Sequence, residues 1–214
     1  MARKRAQLVR QRTTQLLSIK NLLARNCGQD TPSATIKQWA PEQIAQLPLL
    51  PEQKLAVQAN CAVMHALEQQ INTVETELLR QLKPCKAFQL LKTMAGVGDI
   101  LSMTIYLETG DVSRFNSSGN FASYARMVNS KRESNGKKKG EGNRKCGNRY
   151  LCWAFMEAAH YAIRSNEFIR RFYQRKCGKS LKVVAMKAVA HKLARACYNM
   201  LKDGVEFDVK RAFS

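Results

Sequence analysis

Acidic residues are scarce in this chain. Its 214 residues include 16 aspartates and glutamates against 36 lysines and arginines, which gives a formal net charge of +20 at pH 7. So large an excess of one sign attracts polyanions, and nucleic acid is therefore the expected partner. The length is sufficient for one substantial domain or two small ones, each with a hydrophobic core.

Long apolar runs are also missing. Runs such as residues 185–190, which contain Lys187, are far shorter than the roughly 20 residues of a membrane-spanning helix. Met1 is followed by Ala-Arg-Lys-Arg-Ala rather than by the continuous apolar segment of a secretory signal. We therefore expect a cytoplasmic protein without a membrane partner.

Neither the cysteines nor the histidines form a metal-binding motif. The seven cysteines are widely spaced, and the sequence has no Cys-x-x-Cys and no paired histidines. We interpret the cysteines as reduced, mostly buried thiols, and His65, His160 and His191 as isolated core or surface side chains. The sequence therefore predicts no metal or other cofactor bound within this chain.

The alternation typical of β-strands is nearly absent, whereas apolar residues recur three and four apart over long windows. This pattern predicts a mostly α fold. Its segments are a basic connecting helix at 1–28, a proline-containing linker at 29–51, a coiled-coil helix at 52–84 and a compact C-terminal helical domain at 86–214. Gly28 is the expected end of the first helix, and the linker is expected to hold at most one short helix.

The third segment carries a seven-residue repeat of apolar side chains. The repeating residues are Val57, Met64, Ile71 and Leu78, with Leu67 and Val74 at the offset positions. Such a repeat is typical of a coiled coil between two chains, here through residues 57–81. An ordinary helix that packs on the core of its own chain would show the same spacing, so both interpretations stay open.

The start of the fourth segment has the pattern of a helix-hairpin-helix entry. Two helical stretches, at residues 88–94 and 100–108, flank Gly96-Val97-Gly98. Such a turn presents backbone N–H groups at a helix start, which makes Gly96 and Gly98 candidate nucleic-acid contacts. A plain turn between two helices explains the two glycines as well.

Basic residues and glycines are concentrated in residues 129–149. We expect this segment to be a flexible basic loop that contacts nucleic acid. Its candidate binding residues are Lys131, Arg132, Lys137, Lys138, Lys139, Arg144, Lys145 and Arg149.

The same segment carries a resemblance to a known family. Residues 134–140 read Ser-Asn-Gly-Lys-Lys-Lys-Gly, and residues 147–155 read Gly-Asn-Arg-Tyr-Leu-Cys-Trp-Ala-Phe. Together with residues 94–98 and 190–194, these strings resemble the C-terminal domain of bridge-RNA-guided transposases of bacterial insertion sequences. Members of that family join a RuvC-like domain with four catalytic acidic residues, a coiled coil and a C-terminal domain that bears a nucleophilic serine.

The resemblance implies that Ser134 is the nucleophile and that DNA and a noncoding guide RNA are the partners. A serine hydroxyl reacts slowly at neutral pH without a base, a metal or electrostatic help. Lys131, Arg132 and the lysines at 137–139 could supply that help by holding a scissile phosphate. From composition alone, a serine in a loop of glycine and lysine would be taken as an ordinary loop residue.

The chain matches only the coiled-coil and C-terminal portions of that family. The acidic residues that would hold Mg²⁺ in the RuvC-like domain have no counterpart in this sequence, so we expect a truncated transposase that is inactive alone. It would bind DNA and associate with itself or with full-length transposase. The alternatives are a nonenzymatic helical nucleic-acid-binding protein and a regulator that inhibits full-length transposase through mixed oligomers.

Overall fold

The computed structural model describes residues 1–28, 30–128, 131–141 and 146–213, and only the backbone of residues 131–133 and 138–141. The predicted mostly α fold is confirmed, with one two-stranded sheet in the described part of the chain. The chain divides into two compact units, Met1–Leu78 and Leu79–Ser214. No helix in the described ranges is long and apolar enough to cross a membrane.

Two long helices dominate the first unit. They are α1 (Ala2–Cys27) and α4 (Pro51–Leu82), and the last turn of α4 belongs to the second unit. Gly28 ends α1 with a left-handed backbone (φ 63°), and its N–H donates to the Ala24 carbonyl. The proline-containing segment between them holds two short helices, α2 (Ser33–Ile36) and α3 (Pro41–Ala45).

Helices α1 and α4 lie antiparallel. The Arg5 guanidinium contacts the Glu75 carboxylate at 2.5 Å, and the Gln53 amide donates to the Asn26 side chain at 2.9 Å. Arg12 pairs with Glu68 between these two contacts. The apolar core of this unit also includes side chains of the short helices and loops, so the proline-containing segment is packed. Its buried members are Leu16, Ile19, Leu23, Ile36, Trp39, Ile44, Leu49, Val57, Cys61 and Met64.

The seven-residue repeat of α4 is buried within a single chain. Val57, Met64, Ile71 and Leu78 have exposed fractions of 0, 1, 3 and 5% without any second chain. The repeat therefore has a sufficient explanation in packing within its own chain. Association between chains is not needed to cover these four side chains.

The second unit contains the remaining described helices and the sheet. They are α5 (Lys86–Lys92), α6 (Asp99–Thr109), a 3₁₀ turn (Val112–Arg114), α7 (Ser118–Tyr124), β1 (Lys131–Ser134), β2 (Lys137–Glu141), α8 (Arg149–Ser165), α9 (Glu167–Cys177), α10 (Lys182–Asp203) and α11 (Val209–Phe213). Helix α10 packs on α7, α8 and α9, and α6 packs on α8. Alanines on α8 allow this close packing, because Ala154, Ala158 and Ala162 are fully buried.

Candidate nucleic-acid interface

The segment expected to be a flexible basic loop contains a β-hairpin. Strands β1 and β2 pair antiparallel, with Ser134 opposite Lys137. The two residues between them, Asn135 and Gly136, have φ angles of 52° and 68°. Positive φ at both positions is what a type I′ turn requires, and Asn-Gly is the preferred pair for it. The sequence therefore contained a hairpin signal, which the flanking lysines obscured because they show no apolar alternation.

Ser134 lies at the tip of this hairpin. As the last residue of β1 it is directly opposite Lys137, so the two side chains extend from the same face of the ribbon. Both side chains are exposed. A hydroxyl and an ammonium group thus share one accessible face, where a phosphate could contact both.

The structure describes the other basic residues of this segment to different extents. Lys131, Arg132, Lys138 and Lys139 lie in the two strands, but their side chains are outside the described part. Arg144 and Lys145 lie outside the described residues altogether. Arg149 is the exposed first residue of α8, and its guanidinium donates to the Tyr150 hydroxyl at 3.0 Å.

Gly147 fixes the chain against the end of α7. A Cβ at this position would lie 2.5 Å from the Tyr124 carbonyl oxygen, and the backbone has φ 83°, so glycine is required for two reasons. Arg126 donates to the Gly147 carbonyl oxygen from Nε at 3.1 Å and from Nη2 at 3.0 Å. The Asn148 N–H donates to the Tyr124 carbonyl oxygen at 2.7 Å. These contacts therefore fix the position of the backbone at the start of α8.

Asn148 joins the start of α8 to a buried carboxylate. Its Oδ1 accepts from the N–H groups of Tyr150 and Leu151 at 2.8 and 3.1 Å, which caps the helix. Its Nδ2 donates to Glu108 Oε2 at 2.6 Å. The exposed fractions of Asn148 and Glu108 are 6 and 8%. Both polar groups are thus withdrawn from water and depend on such hydrogen bonds.

Tyr124 extends this cluster to Arg114. The Arg114 guanidinium carbon lies 4.7 Å from the centre of the Tyr124 ring. Hydrogen bonds from Arg114 and then from Asn148 lower the pKa of the Tyr124 hydroxyl. Sequence reasoning did not find this cluster. Asn148 before an apolar helical run is a recognisable helix cap, but its contact with Glu108, 40 residues away, leaves no local signal.

The two glycines of the predicted helix-hairpin-helix have different surroundings. A Cβ on Gly96 would lie 2.3 Å from the Ala158 carbonyl oxygen and 2.6 Å from the Ala162 nitrogen, so Gly96 permits the close approach of α8. Gly98 precedes α6, has no atom within 4 Å of an added Cβ, and provides no side-chain cap. The structure thus gives Gly96 a packing role and leaves the space beside Gly98 open.

An open groove of about 770 Å³ adjoins the start of α6. It is lined by residues 96–101 together with Tyr161, Arg164 and Ser165 of α8. Asp99 in the first turn of α6 pairs with Lys92 at 2.7 Å, which offsets its charge. Backbone N–H groups at a helix start and the Arg164 guanidinium are both suited to contact an anion.

The described residues do not form a metal centre. Among them, no group of three or more His, Cys, Asp or Glu side chains is placed to hold a metal ion. The described cysteines form no disulfide, and burial raises the pKa of the Cys61 and Cys197 thiols, which disfavours their reactive thiolate forms.

Comparison with known proteins leads to one family. Residues 88–174 match the model of the IS116/IS110/IS902 transposase family. The chain is also 25% identical over 197 residues to a protein of Streptomyces clavuligerus named as an uncharacterized 44.8 kDa protein of insertion element IS116. The chain is therefore similar to insertion-sequence transposases, both in this range and along most of its length. This alignment covers 90% of the chain and 49% of the relative, so the chain spans about half of the relative's length.

The transposase family model covers the helices and the hairpin that form the candidate site. Its range begins within α5 and ends within α9, so it includes Ser134, the two glycines at 96 and 98, and the Glu108–Asn148 contact. The similarity to the insertion-element protein also extends beyond this range. The resemblance inferred from the sequence is confirmed at the level of the family.

Proposed function

We propose that this chain binds DNA and contributes the serine-bearing part of a DNA transposition reaction. The observation that carries the proposal is the position of Ser134, exposed at the tip of a basic hairpin within the family-matched range. A nucleophile for a DNA phosphate must be accessible to a duplex that is too large to enter a closed pocket. An exposed hairpin tip meets that requirement.

Three features are suited to hold the phosphate backbone. Lys137 shares a face with Ser134, Arg149 lies at the start of α8, and the groove beside Gly98 combines a helix start with Arg164. Contacts of this kind neutralise phosphates without reading base sequence, and they fix the position of the DNA on the protein. Target choice would then come from a noncoding guide RNA that pairs with DNA.

The proposed chemistry is a phosphoryl transfer to serine. The Ser134 Oγ attacks a phosphodiester phosphorus, a phosphoserine bond forms, and the bond to one strand oxygen breaks. The serine must lose a proton and the departing oxygen must gain one, so groups beyond Ser134 and Lys137 have to act as base and acid. The described residues offer no carboxylate cluster that fits Mg²⁺, and we therefore propose that a RuvC-like domain supplies such a cluster.

Association with another chain completes the proposal. A second copy or a full-length transposase would contact this chain through residues 57–81. The repeat on α4 is buried, so the surface open to a partner is the other side of the helix, where Val63 is 46% exposed. A mixed oligomer formed there would also allow the chain to inhibit a full-length transposase.

A nonenzymatic nucleic-acid-binding role is the second candidate. It is favoured by the net charge of +20 together with the lack of a carboxylate cluster among the described residues. Basic helices and hairpins are sufficient for such binding. The two candidates differ in whether Ser134 becomes covalently linked to DNA.

The decisive experiment supplies the other components that the proposed reaction requires. The chain is combined with a matching RuvC-like domain, its guide RNA, the element ends and Mg²⁺, and the products are examined for DNA linked to serine. We expect Ser134→Ala to abolish the adduct while DNA affinity changes little, because one hydroxyl adds little to binding dominated by lysine and arginine. Ser130→Ala, four residues upstream, is the matched control and should retain the adduct.

Two results would contradict the assignment of Ser134. An adduct that survives Ser134→Ala but disappears with Ser130→Ala would place the nucleophile four residues upstream. DNA cleavage without any protein-linked product would exclude serine as the nucleophile and leave the nonenzymatic role for this chain.

A further inference from the structure

Away from the hairpin, three helices of the second unit bring basic side chains together. Lys192 of α10 has its Nζ 5.2 Å from the centre of the Phe172 ring on α9 and 5.8 Å from that of Phe213 on α11. Lys176 of α9 lies 5.7 Å from the same Phe172 ring. The two aromatic rings therefore form a platform that holds ammonium groups from neighbouring helices close to one another.

Arginines surround this platform. Arg175 lies beside Lys176 in sequence, and Arg195 lies one turn after Lys192 on α10. The Arg195 Nε donates to the Ser118 Oγ at 3.3 Å, which restrains its guanidinium. We call Arg175, Lys176, Lys192, Arg195 and Arg211 of α11 the C-terminal cation cluster.

The cluster is compact enough for its members to affect one another. Burial, followed by Arg195, Lys176 and Arg175, lowers the pKa of Lys192. Burial, followed by Arg195 and Lys192, lowers the pKa of His191 on the same helix. Like charges held this close repel each other, and an anion that contacts several of them relieves that repulsion.

The cluster borders a groove of about 250 Å³ between α10, α11 and residues 205–208. Lys192, Arg195 and Arg211 line it together with Asn199. Two carboxylates, Glu206 and Asp208, line it as well. Asp208 accepts from the backbone N–H groups of Lys210 and Arg211 at 2.8 and 3.2 Å, so part of its hydrogen-bonding capacity serves the start of α11. Asp203 lies 4.0 Å from Arg211.

We propose that the C-terminal cation cluster is a second binding surface for the phosphodiester backbone of nucleic acid, separate from the hairpin. Forked guanidinium groups and point-charge ammonium groups from three helices can contact successive phosphates, and such contacts are independent of base sequence. The proposal rests on the nucleic-acid binding proposed above. It adds that the chain still binds nucleic acid, with lower affinity, when the hairpin makes no contact with it.

The test removes the cluster's charge and measures the salt dependence of binding. The variant combines Arg175→Gln, Lys192→Gln and Arg195→Gln, and its affinity for duplex DNA and for duplex RNA of equal length is titrated against salt. On DNA we expect the slope of log K against log salt to fall by about 0.9 for each lost phosphate contact, and the affinity to fall at least about tenfold at physiological salt. If the variant loses affinity for both DNA and RNA, the ligand is the phosphodiester backbone that the two share. If it loses affinity for only one of them, that nucleic acid is the ligand of the cluster.

The control removes equal charge elsewhere. Arg25→Gln, Lys83→Gln and Lys86→Gln change three exposed cations outside the cluster and should leave the slope much closer to that of the wild type. Lys192→Arg retains the charge at the partly buried position and should preserve the slope, which separates loss of charge from loss of folding. Thermal melting of each variant by circular dichroism checks that α9 to α11 remain folded.

The outcomes distinguish the two proposals. A wild-type chain that binds neither duplex at low salt overturns nucleic-acid binding and this inference together. If the wild-type chain binds, but the cluster variant and the control variant lose equal slope, only the proposal for the C-terminal cation cluster is overturned. The cluster is supported when its variant alone loses slope.

Discussion

The two units of this chain differ in charge and in how they are packed. Residues 1–78 hold nine lysines and arginines against six aspartates and glutamates, whereas residues 79–214 hold 27 against ten. The first unit is a pair of long helices joined along an apolar stripe and bordered by ion pairs. The second has a core where backbones approach closely at glycine and alanine. Most of the excess positive charge, on which the proposed nucleic-acid binding depends, therefore lies in the second unit, whereas the first unit is organised around helix pairing.

The largest effect is expected from charge placed in the stripe of the first unit. Met64→Asp with Ile71→Asp should separate α1 from α4, because each carboxylate would be buried without a partner at a cost of about 3–5 kcal/mol. Both positions are almost fully buried in the single chain. Circular dichroism should show loss of helix, and limited proteolysis should cleave within the first unit.

An opposite result would change the interpretation of α4. If the double variant keeps its helical signal and its protease resistance while sedimentation changes from dimer to monomer, the repeat pairs two chains rather than two helices of one chain. Thr73→Asp, at an exposed position on the same helix, is the control and should have little effect.

A smaller but still large effect is expected where backbones meet in the second unit. Gly96→Ala places a methyl group 2.3 Å from the Ala158 carbonyl oxygen at a residue with φ 78°, and should destabilise the fold by about 2–4 kcal/mol. Gly98→Ala has open space and a negative φ, so it should cost less than about 1 kcal/mol. Urea unfolding of the two variants measures the difference. If Gly96→Ala and Gly98→Ala lowered the free energy of unfolding equally, α5, α6 and α8 would be packed less closely in solution than in the structure.

The smallest of the three effects concerns the cap at the start of α8. Asn148→Ala removes two capping hydrogen bonds and the amide that donates to the buried Glu108 carboxylate, and should cost about 2–3 kcal/mol. Asn166→Ala removes the cap of α9, where Oδ1 accepts from the Ile169 N–H at 3.2 Å, and should cost about 1 kcal/mol. Urea unfolding again gives the comparison. Equal costs would mean that the contact with Glu108 adds no stability.

Sequence reasoning predicted the long helices best, because periodic apolar residues and glycine stops are local signals. Helix α1 with its end at Gly28 is an example. The packed proline-containing segment was harder to predict, since Ile36, Trp39 and Ile44 are buried by helices distant in sequence. The hairpin was missed although Asn135-Gly136 is a strong turn signal, because charged strands lack apolar alternation.

The candidate site was only partly predictable. Ser134 was predicted as the nucleophile only from resemblance to a family, and the residues around it gave no independent signal. The Glu108–Asn148 contact and the C-terminal cation cluster depend on helices that meet in space, so no spacing within one segment reveals them.

The antiparallel pairing of α1 and α4 has a consequence for synthesis on the ribosome. Arg5 contacts Glu75, which is 70 residues later in the chain. The first helix ends at Cys27, so at about 5–20 residues per second it is complete for roughly 2–10 s before Glu75 has been made. During that interval the apolar side chains of the nascent helix lack their partners on α4 and remain accessible to chaperones.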